Sequence, residues 1–216
     1  MAQVFSRSSN AVARVTLVSL VCAPFVIFGV VFVFVRSPYV TQAEVPIDQP
    51  IPFSHKHHVG DDGIACQYCH TSVETSSFAG MPSSETCMNC HSQVWNQSDT
   101  LAAVRQSVQT GQPLVWERVH KLPDFVYFNH SIHVQKGVAC ETCHGRVDEM
   151  PRIMKVASLQ MQWCLDCHRD PASNIRPRED VTAMGWQPPA HVDELQRQLA
   201  LEYHIQSKTD CSTCHR

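Results

Sequence analysis

Ten of the eleven cysteines in this 216-residue chain fall into five Cys-x-x-Cys-His motifs, numbered one to five along the chain. Cysteines three residues apart lie on the same face of a short helical turn, so both thiols reach the two vinyl groups of one porphyrin. The histidine that follows is then held under the iron as its proximal axial ligand. The motifs therefore predict five covalently bound c-type haems. The attachment cysteines are Cys66 and Cys69, Cys87 and Cys90, Cys140 and Cys143, Cys164 and Cys167, and Cys211 and Cys214, and the proximal ligands are His70, His91, His144, His168 and His215.

Other uses of paired cysteines fit this pattern less well. Zinc half-sites often contain Cys-x-x-Cys, but zinc does not require a histidine directly afterwards, and here one follows each of the five pairs. A disulfide across two residues is strained and is usually catalytic rather than structural. A thioredoxin-like motif is expected once, near a βαβ pattern, and no such pattern accompanies these motifs.

An internal repeat occupies two stretches of the chain after its amino-terminal part. Residues 53–70 and 128–144 each contain a Phe-x-His-x-x-His element, a Gly-Ile-Ala or Gly-Val-Ala lead-in, and a haem motif. A second motif follows in each copy, so the repeats cover residues 53–91 and 128–168. Each repeat is predicted to hold two haems, and residues 211–215 hold the fifth.

The ligand on the other side of each iron decides between electron transfer and catalysis, because an iron with two protein ligands has no position for a substrate. The chain has 13 histidines, which leaves eight beyond the proximal five. In the repeat, His55 aligns with His130 and His58 aligns with His133. These four are the predicted distal ligands, whereas His57 has no histidine counterpart and is not expected to bind iron.

The sequence leaves the fifth distal ligand open among His120, His191 and His204. His204 lies as far before motif five as His133 lies before motif three. His120 lies in a segment rich in proline and aromatic residues, which would hold it rigidly. A methionine ligand is an alternative that would raise the potential of its haem, and the methionines near motifs are Met81, Met154 and Met161.

An uncharged apolar run from Val15 to Val35 predicts a transmembrane helix at residues 15–36. At 1.5 Å per residue, 21 residues span roughly 31 Å, enough to cross the hydrocarbon core. Arg7 and Arg14 before the run, against Arg36 after it, place residues 1–14 in the cytoplasm. The run is too long for the apolar region of a cleaved signal peptide. We expect a single-pass protein of the bacterial inner membrane whose haem domain is periplasmic, since c-type haems are attached outside the cytoplasm.

The remaining chain divides into a proline-containing extended linker at residues 37–52 and a pentahaem cytochrome c domain at residues 53–216. Roughly 180 residues for five haems leave about 36 residues per haem, too few for a separate protein core. The predicted fold is therefore mostly helical and irregular, with the haems as its core and little or no sheet. Residues 98–111 and 191–203 read as helices.

The balance of charges excludes nucleic acid as a partner, because 20 acidic residues outnumber 17 scattered lysines and arginines. The formal net charge is −3, and the haem propionates add about ten carboxylates.

The histidine elements resemble those of class III multihaem cytochromes c, in which the first histidine ligates the nearby haem and the second reaches another haem. The whole chain resembles the membrane-anchored pentahaem subunit of bacterial alternative complex III. The segments that carry this resemblance are residues 79–91, 118–133, 140–151, 163–169 and 211–216, together with the anchor helix. The resemblance favours His120 as the fifth distal ligand.

The resemblance also implies a function and partners. In that family the pentahaem subunit passes electrons from quinol, in respiratory or photosynthetic membranes, towards a periplasmic acceptor. Its partners are an iron–sulfur subunit, polytopic quinol-binding subunits and a monohaem cytochrome c. One alternative is a stand-alone quinol dehydrogenase of nitrate or nitrite respiration, but Ser72 stands where that group often has methionine. The other is a multihaem reductase with one open iron.

Overall fold

The computed structural model describes Ser6 and residues 8–215. Residues 1–5, Arg7 and Arg216 lie outside the described residues, so part of the predicted cytoplasmic segment and one arginine used for its orientation have no structural account. The chain separates into two compact units, residues 1–42 and 43–216.

The first unit is built on one long helix, α1 (Ser9–Arg36). Its 28 residues include the whole uncharged run, and no side chain in it is buried. A helix of this length extends about 42 Å, so α1 is long and apolar enough to cross a membrane. It ends where the Ser37 hydroxyl and backbone N–H both donate to the Phe34 carbonyl, and the short helix α2 (Pro38–Thr41) follows.

The second unit consists of short helices joined by irregular chain. The α-helices are α3 (Cys66–Cys69), α4 (Ser84–His91), α5 (Ala102–Thr110), α6 (His130–Gln135), α7 (Cys140–His144), α8 (Met161–Arg169), α9 (Val192–Glu202) and α10 (Cys211–Cys214). Lys56–Asp61 forms a π-helical turn, and 3-10 turns lie at Asp99–Leu101, Val147–Glu149, Pro171–Asn174 and Arg178–Asp180.

Sheet structure is reduced to three isolated bridges within the described part of the chain. They join Ala43 to Lys155, Val126 to His215, and Val138 to Ile175. The predicted fold, mostly helical and irregular with little sheet, is therefore confirmed. The two helices predicted at residues 98–111 and 191–203 are also present, the first ending at Gly111 with a left-handed φ of 67°.

Buried apolar side chains form only small clusters in this unit. One cluster consists of Ile51, Leu101 and Val104, where α5 packs against α4 and the segment before the first repeat. The other consists of Ile175, Leu199 and Tyr203, where α9 packs on the chain that follows α8. These two clusters lie beside the haem motifs, and they hold in place the chain segments that position the motifs.

Candidate haem-binding site

Each haem motif is helical, as its chemistry requires. In motifs one, three and five an extended residue precedes the first cysteine, and the cysteine then begins α3, α7 or α10. In motifs two and four the cysteines lie in the last two turns of α4 and α8. Cysteines three apart in a helix project from one face, so each motif presents both thiols to the same side.

Most proximal histidines are fixed by a hydrogen bond from Nδ1 to a backbone carbonyl. Because a carbonyl only accepts, the proton lies on Nδ1 and the Nε2 lone pair is free for a metal. The bonds are His70 to Gly80 (2.8 Å), His91 to Val94 (3.0 Å), His168 to Lys208 (3.0 Å) and His215 to Phe125 (3.1 Å).

In the first repeat, His58 lies opposite a proximal histidine of the second motif. The ring centres of His58 and His91 are 6.1 Å apart with an interplanar angle of 67°. His58 Nδ1 donates to the Ser54 carbonyl at 2.9 Å, and the Phe53 ring stacks on His58 at 4.4 Å. The Phe-x-His-x-x-His element therefore fixes the orientation of its last imidazole.

The second repeat reproduces this geometry with different neighbours. His133 and His168 are 6.1 Å apart, again at 67°. His133 Nδ1 donates to the Asn129 carbonyl at 2.7 Å, and Phe128 stacks on His133 at 4.5 Å. The repetition of both distance and angle shows that this pairing belongs to the repeated unit.

These two histidine pairs fit an iron between them. An imidazole binds a metal at about 2 Å, and its ring centre lies about 1.1 Å behind the nitrogen, so two imidazoles on one iron have centres about 6 Å apart. Both pairs have that separation, and their Nδ1 atoms are already occupied by carbonyls. The donor set thus suits a haem iron with two axial imidazoles.

The first histidines of the repeats lie close to motifs one and three. His130 is 6.4 Å from His144 with nearly parallel rings (12°), and its Nδ1 donates to the Ser77 carbonyl at 2.9 Å. Burial, and after it the neighbouring His70 and His58, lower the pKa of His55 to about 4. The buried Nδ1 of His55 has no hydrogen-bond partner.

His120 also lies at motif three, with its ring 4.2 Å from that of His144. Its Nε2 is buried and has no hydrogen-bond partner. Burial lowers the pKa of His120 to about 4, with smaller contributions from Lys155 and His130. Burial likewise lowers the pKa of His144 to about 3, with His120 and His130 next in importance. These imidazoles are neutral at neutral pH, the form that binds iron.

The ring that lies against His215 of motif five is Phe125, at 5.8 Å. His191 directly precedes α9, and His204 follows it in a left-handed conformation with φ 51°. The structure therefore brings His120 to motif three, and it places the two other candidates for the fifth distal ligand at the ends of α9.

His57 lies beside His58, with ring centres 5.4 Å apart, but its own nitrogens face acidic side chains. It is half-exposed, lies 3.8 Å from an Asp61 oxygen and 3.6 Å from an Asp62 oxygen, and stacks on Trp95 at 5.7 Å. Trp95 also lies 6.4 Å from His91, a contact that the sequence analysis missed. The backbone carbonyls that orient the imidazoles could not be predicted from the sequence either, because their positions depend on the path of the chain and not on residue type.

Motif three is held by a buried ion pair. Glu141, inside the motif, accepts from Arg176 Nη1 at 2.7 Å and from the Gly185 N–H at 2.7 Å. Arg176 is 4% exposed and also donates to the carbonyls of Ala183 (2.8 Å) and Val181 (3.2 Å). The charged network fixes α7 to the segment before α9.

Helical Cys-x-x-Cys-His motifs, with oriented imidazoles facing one another, define a multihaem cytochrome of the c type. The family of cytochrome c7 and related cytochromes c matches residues 51–109 and 126–216, so the chain belongs to this family. It is also similar to the multihaem cytochrome c subunit of menaquinone reductase from Nitratidesulfovibrio vulgaris Hildenborough, with 42% identity over 98 residues. That match covers 45% of this chain and 46% of the relative, less than half of each.

Proposed function

We propose that the chain is a membrane-anchored pentahaem cytochrome that relays electrons between a quinone-linked membrane complex and a periplasmic acceptor. The observation that carries the proposal is the pairing of His58 with His91 and of His133 with His168 at the same distance and angle. An iron with an imidazole on each side changes oxidation state without binding a substrate. The chain is therefore proposed to conduct electrons.

The proposed ligands extend this pairing to the other irons. His58 and His133 serve the second haem of each repeat, and His55, His130 and His120 are the remaining distal candidates. Burial keeps His55, His120 and His144 neutral, so each offers a lone pair at neutral pH. Each haem, when bound, would supply a reversible one-electron centre, and these histidines would hold its iron.

The proposed location and partners rest on α1 and on the relative. Residues 1–14 are assigned to the cytoplasm, 15–36 to the inner membrane, 37–52 to a linker and 53–216 to a periplasmic pentahaem domain. The relative is named as a subunit of menaquinone reductase, which supports a quinone-linked complex. Following the resemblance to alternative complex III, we propose iron–sulfur, polytopic quinol-binding and monohaem cytochrome c partners.

The relative also favours a second candidate, because its name describes a reductase of menaquinone. In that direction the haems would pass electrons towards the quinone instead of away from it. The haem domain can carry electrons in either direction, because haem irons with two protein ligands do not themselves set the direction of electron flow.

Reduction by quinol tests the proposed role within a complex. The full-length haem-loaded chain is purified from detergent-solubilised membranes in two ways, with its co-purifying subunits and alone after a high-salt wash. Menaquinol is then added and the reduced haem absorbance is followed. We expect rapid haem reduction in the complex and little reduction of the chain alone. Equal reduction rates in the two preparations would instead identify a stand-alone quinol dehydrogenase.

A further inference from the structure

The haem motifs are not arranged in space in the order in which they occur along the chain. Motifs one and two are joined directly, because Asn89 Nδ2, inside motif two, donates to the Tyr68 hydroxyl, inside motif one, at 2.9 Å. The pKa of Cys69 is raised first by burial and then by the neighbouring Cys87 thiol. The second haem site therefore adjoins the first.

Motif one also adjoins motif three, which is 70 residues further along. The His130 imidazole, in the chain that leads into motif three, donates to the Ser77 carbonyl after motif one at 2.9 Å. The Cys66 and Cys140 thiols also lie close enough together for each to shift the pKa of the other, lowering that of Cys66 to about 7 and raising that of Cys140. The segments around these motifs pack closely: a Cβ on Gly60 would lie 2.3 Å from the Asp148 carbonyl oxygen. Only glycine fits there, so the contact between the two repeats is built into the sequence.

Motif three adjoins motif four. Burial, and after it the nearby Cys167 and Cys164 thiols, raise the pKa of Cys143 to about 12. The helix that leads into motif three also supplies His133, which faces His168 of motif four at 6.1 Å. The third and fourth haem sites are thus neighbours.

Motif four in turn adjoins motif five. The His168 carbonyl accepts from the Ser207 hydroxyl at 2.8 Å, and His168 Nδ1 donates to the Lys208 carbonyl at 3.0 Å. The pKa of Cys164 is raised first by burial and then by the Cys214 thiol of motif five. The contacts described above therefore join motif two to one, one to three, three to four and four to five.

We propose that the haem sites form a single line in the order two, one, three, four, five. Motifs two and five then hold the terminal haems, and motif three holds the central one. The inference rests on the proposed function in one respect, that all five motifs carry haem. Electrons enter and leave at the Cys87–His91 and Cys211–His215 ends, so the carboxyl-terminal motif is one terminus of the line and the amino-terminal motif is internal.

Two equivalent ligand substitutions, His58→Met and His133→Met, test this order. A methionine ligand raises the potential of its haem, which is then reduced before the others. A reduced haem carries one positive charge less, and this lowers the midpoint potential of adjacent haems by an electrostatic effect that decays with distance. Redox titration followed by electron paramagnetic resonance reports all five midpoints.

The proposed order predicts different results for these two variants, although His58 and His133 occupy the same position in their repeats. His58→Met alters a terminal haem, so it can lower the midpoint of at most one other haem. His133→Met alters an internal haem with two neighbours, and it should lower the midpoint of each neighbour that is reduced before it in the native chain. One lowered midpoint at most for His58→Met and two for His133→Met are the expected result, and two lowered midpoints for His58→Met would overturn the order.

A separate readout keeps the inference distinct from the proposed function. The mass of each denatured variant gives its number of covalent haems, and a count below five in the native chain would contradict the pentahaem proposal itself. If methionine fails to bind in either variant, iron-to-iron distances from an experimental map of the native holoprotein decide the order. A haem of motif two that has more than one near neighbour would then overturn it.

Discussion

Produced without haem attachment, residues 43–216 are expected to show no cooperative unfolding transition. Eleven hydrophobic side chains are buried among the described residues, and six of them form two small clusters of three. Burying one such side chain stabilises the fold by about 1.5–3 kcal/mol, whereas ordering each backbone residue costs about 1–2 kcal/mol. The apolar contacts of the polypeptide alone are therefore too few to order the unit, and the haems must supply the missing core.

Calorimetry and near-ultraviolet circular dichroism measure this effect. The chain is expressed in the cytoplasm, where haem is not attached, and is kept reduced to prevent disulfides. The control is the same chain matured with haem, which should unfold cooperatively and show fixed aromatic signals. A sharp heat-absorption peak from the haem-free chain would show that the polypeptide has a sufficient core of its own.

Replacing Arg176 by methionine is expected to destabilise the haem-loaded domain by about 3–5 kcal/mol. The substitution removes the cation from the partly buried Glu141 carboxylate and leaves the Ala183 carbonyl without its side-chain donor, while the Val181 carbonyl keeps only the Cys140 N–H. An uncompensated buried charge costs more than a lost surface contact. Denaturant unfolding followed by haem absorbance gives the free energy of unfolding.

Two further variants separate the buried charge from other effects. Arg152→Met removes an exposed ion pair with Asp48 and should cost at most about 1 kcal/mol. Adding Glu141→Leu to Arg176→Met removes both charges, and we expect it to recover part of the lost stability. If Arg176→Met costs no more than Arg152→Met, the ion pair of Arg176 with Glu141 does not stabilise the domain as described.

Much of the site follows from the sequence because haem attachment needs fixed residue types at fixed spacing. The internal repeat added further predictions. Aligning residues 53–91 with 128–168 identified His58 and His133 as equivalent histidines, and the structure places them in equivalent pairs with His91 and His168. The same alignment predicted that His57 is not an iron ligand, and in the structure His57 lies against Asp61 and Asp62. Local spacing predicts these features because they lie within one short segment.

What the sequence left open depends on contacts between distant segments. The position of His120 against His144 and the contact of Cys66 with Cys140 are set by the packing of one repeat on the other. The carbonyls of Gly80, Val94 and Lys208 orient imidazoles, yet any residue type supplies a carbonyl. Neither kind of contact has a signature in residue order.

The bounds of α1 also differ from the bounds predicted from the sequence. The apolar run predicted a helix over residues 15–36, and the helix begins earlier, at Ser9. An apolar run marks the part of a helix that suits lipid, and a helix continues into polar sequence as long as its backbone hydrogen bonds are made. The hydrophobic span and the helix are therefore different segments.

The number and spin state of the haems test the central claim most directly. The mass of the denatured holoprotein, purified from membranes, is measured by mass spectrometry. The spectrum of the oxidised native protein is recorded by electron paramagnetic resonance. Five covalent haems, all low-spin because each iron has two axial protein ligands, are the predicted result. Fewer than five haems would remove the pentahaem assignment. A stoichiometric high-spin signal, or binding of nitrite to an iron, would show an open haem and contradict a purely electron-conducting chain.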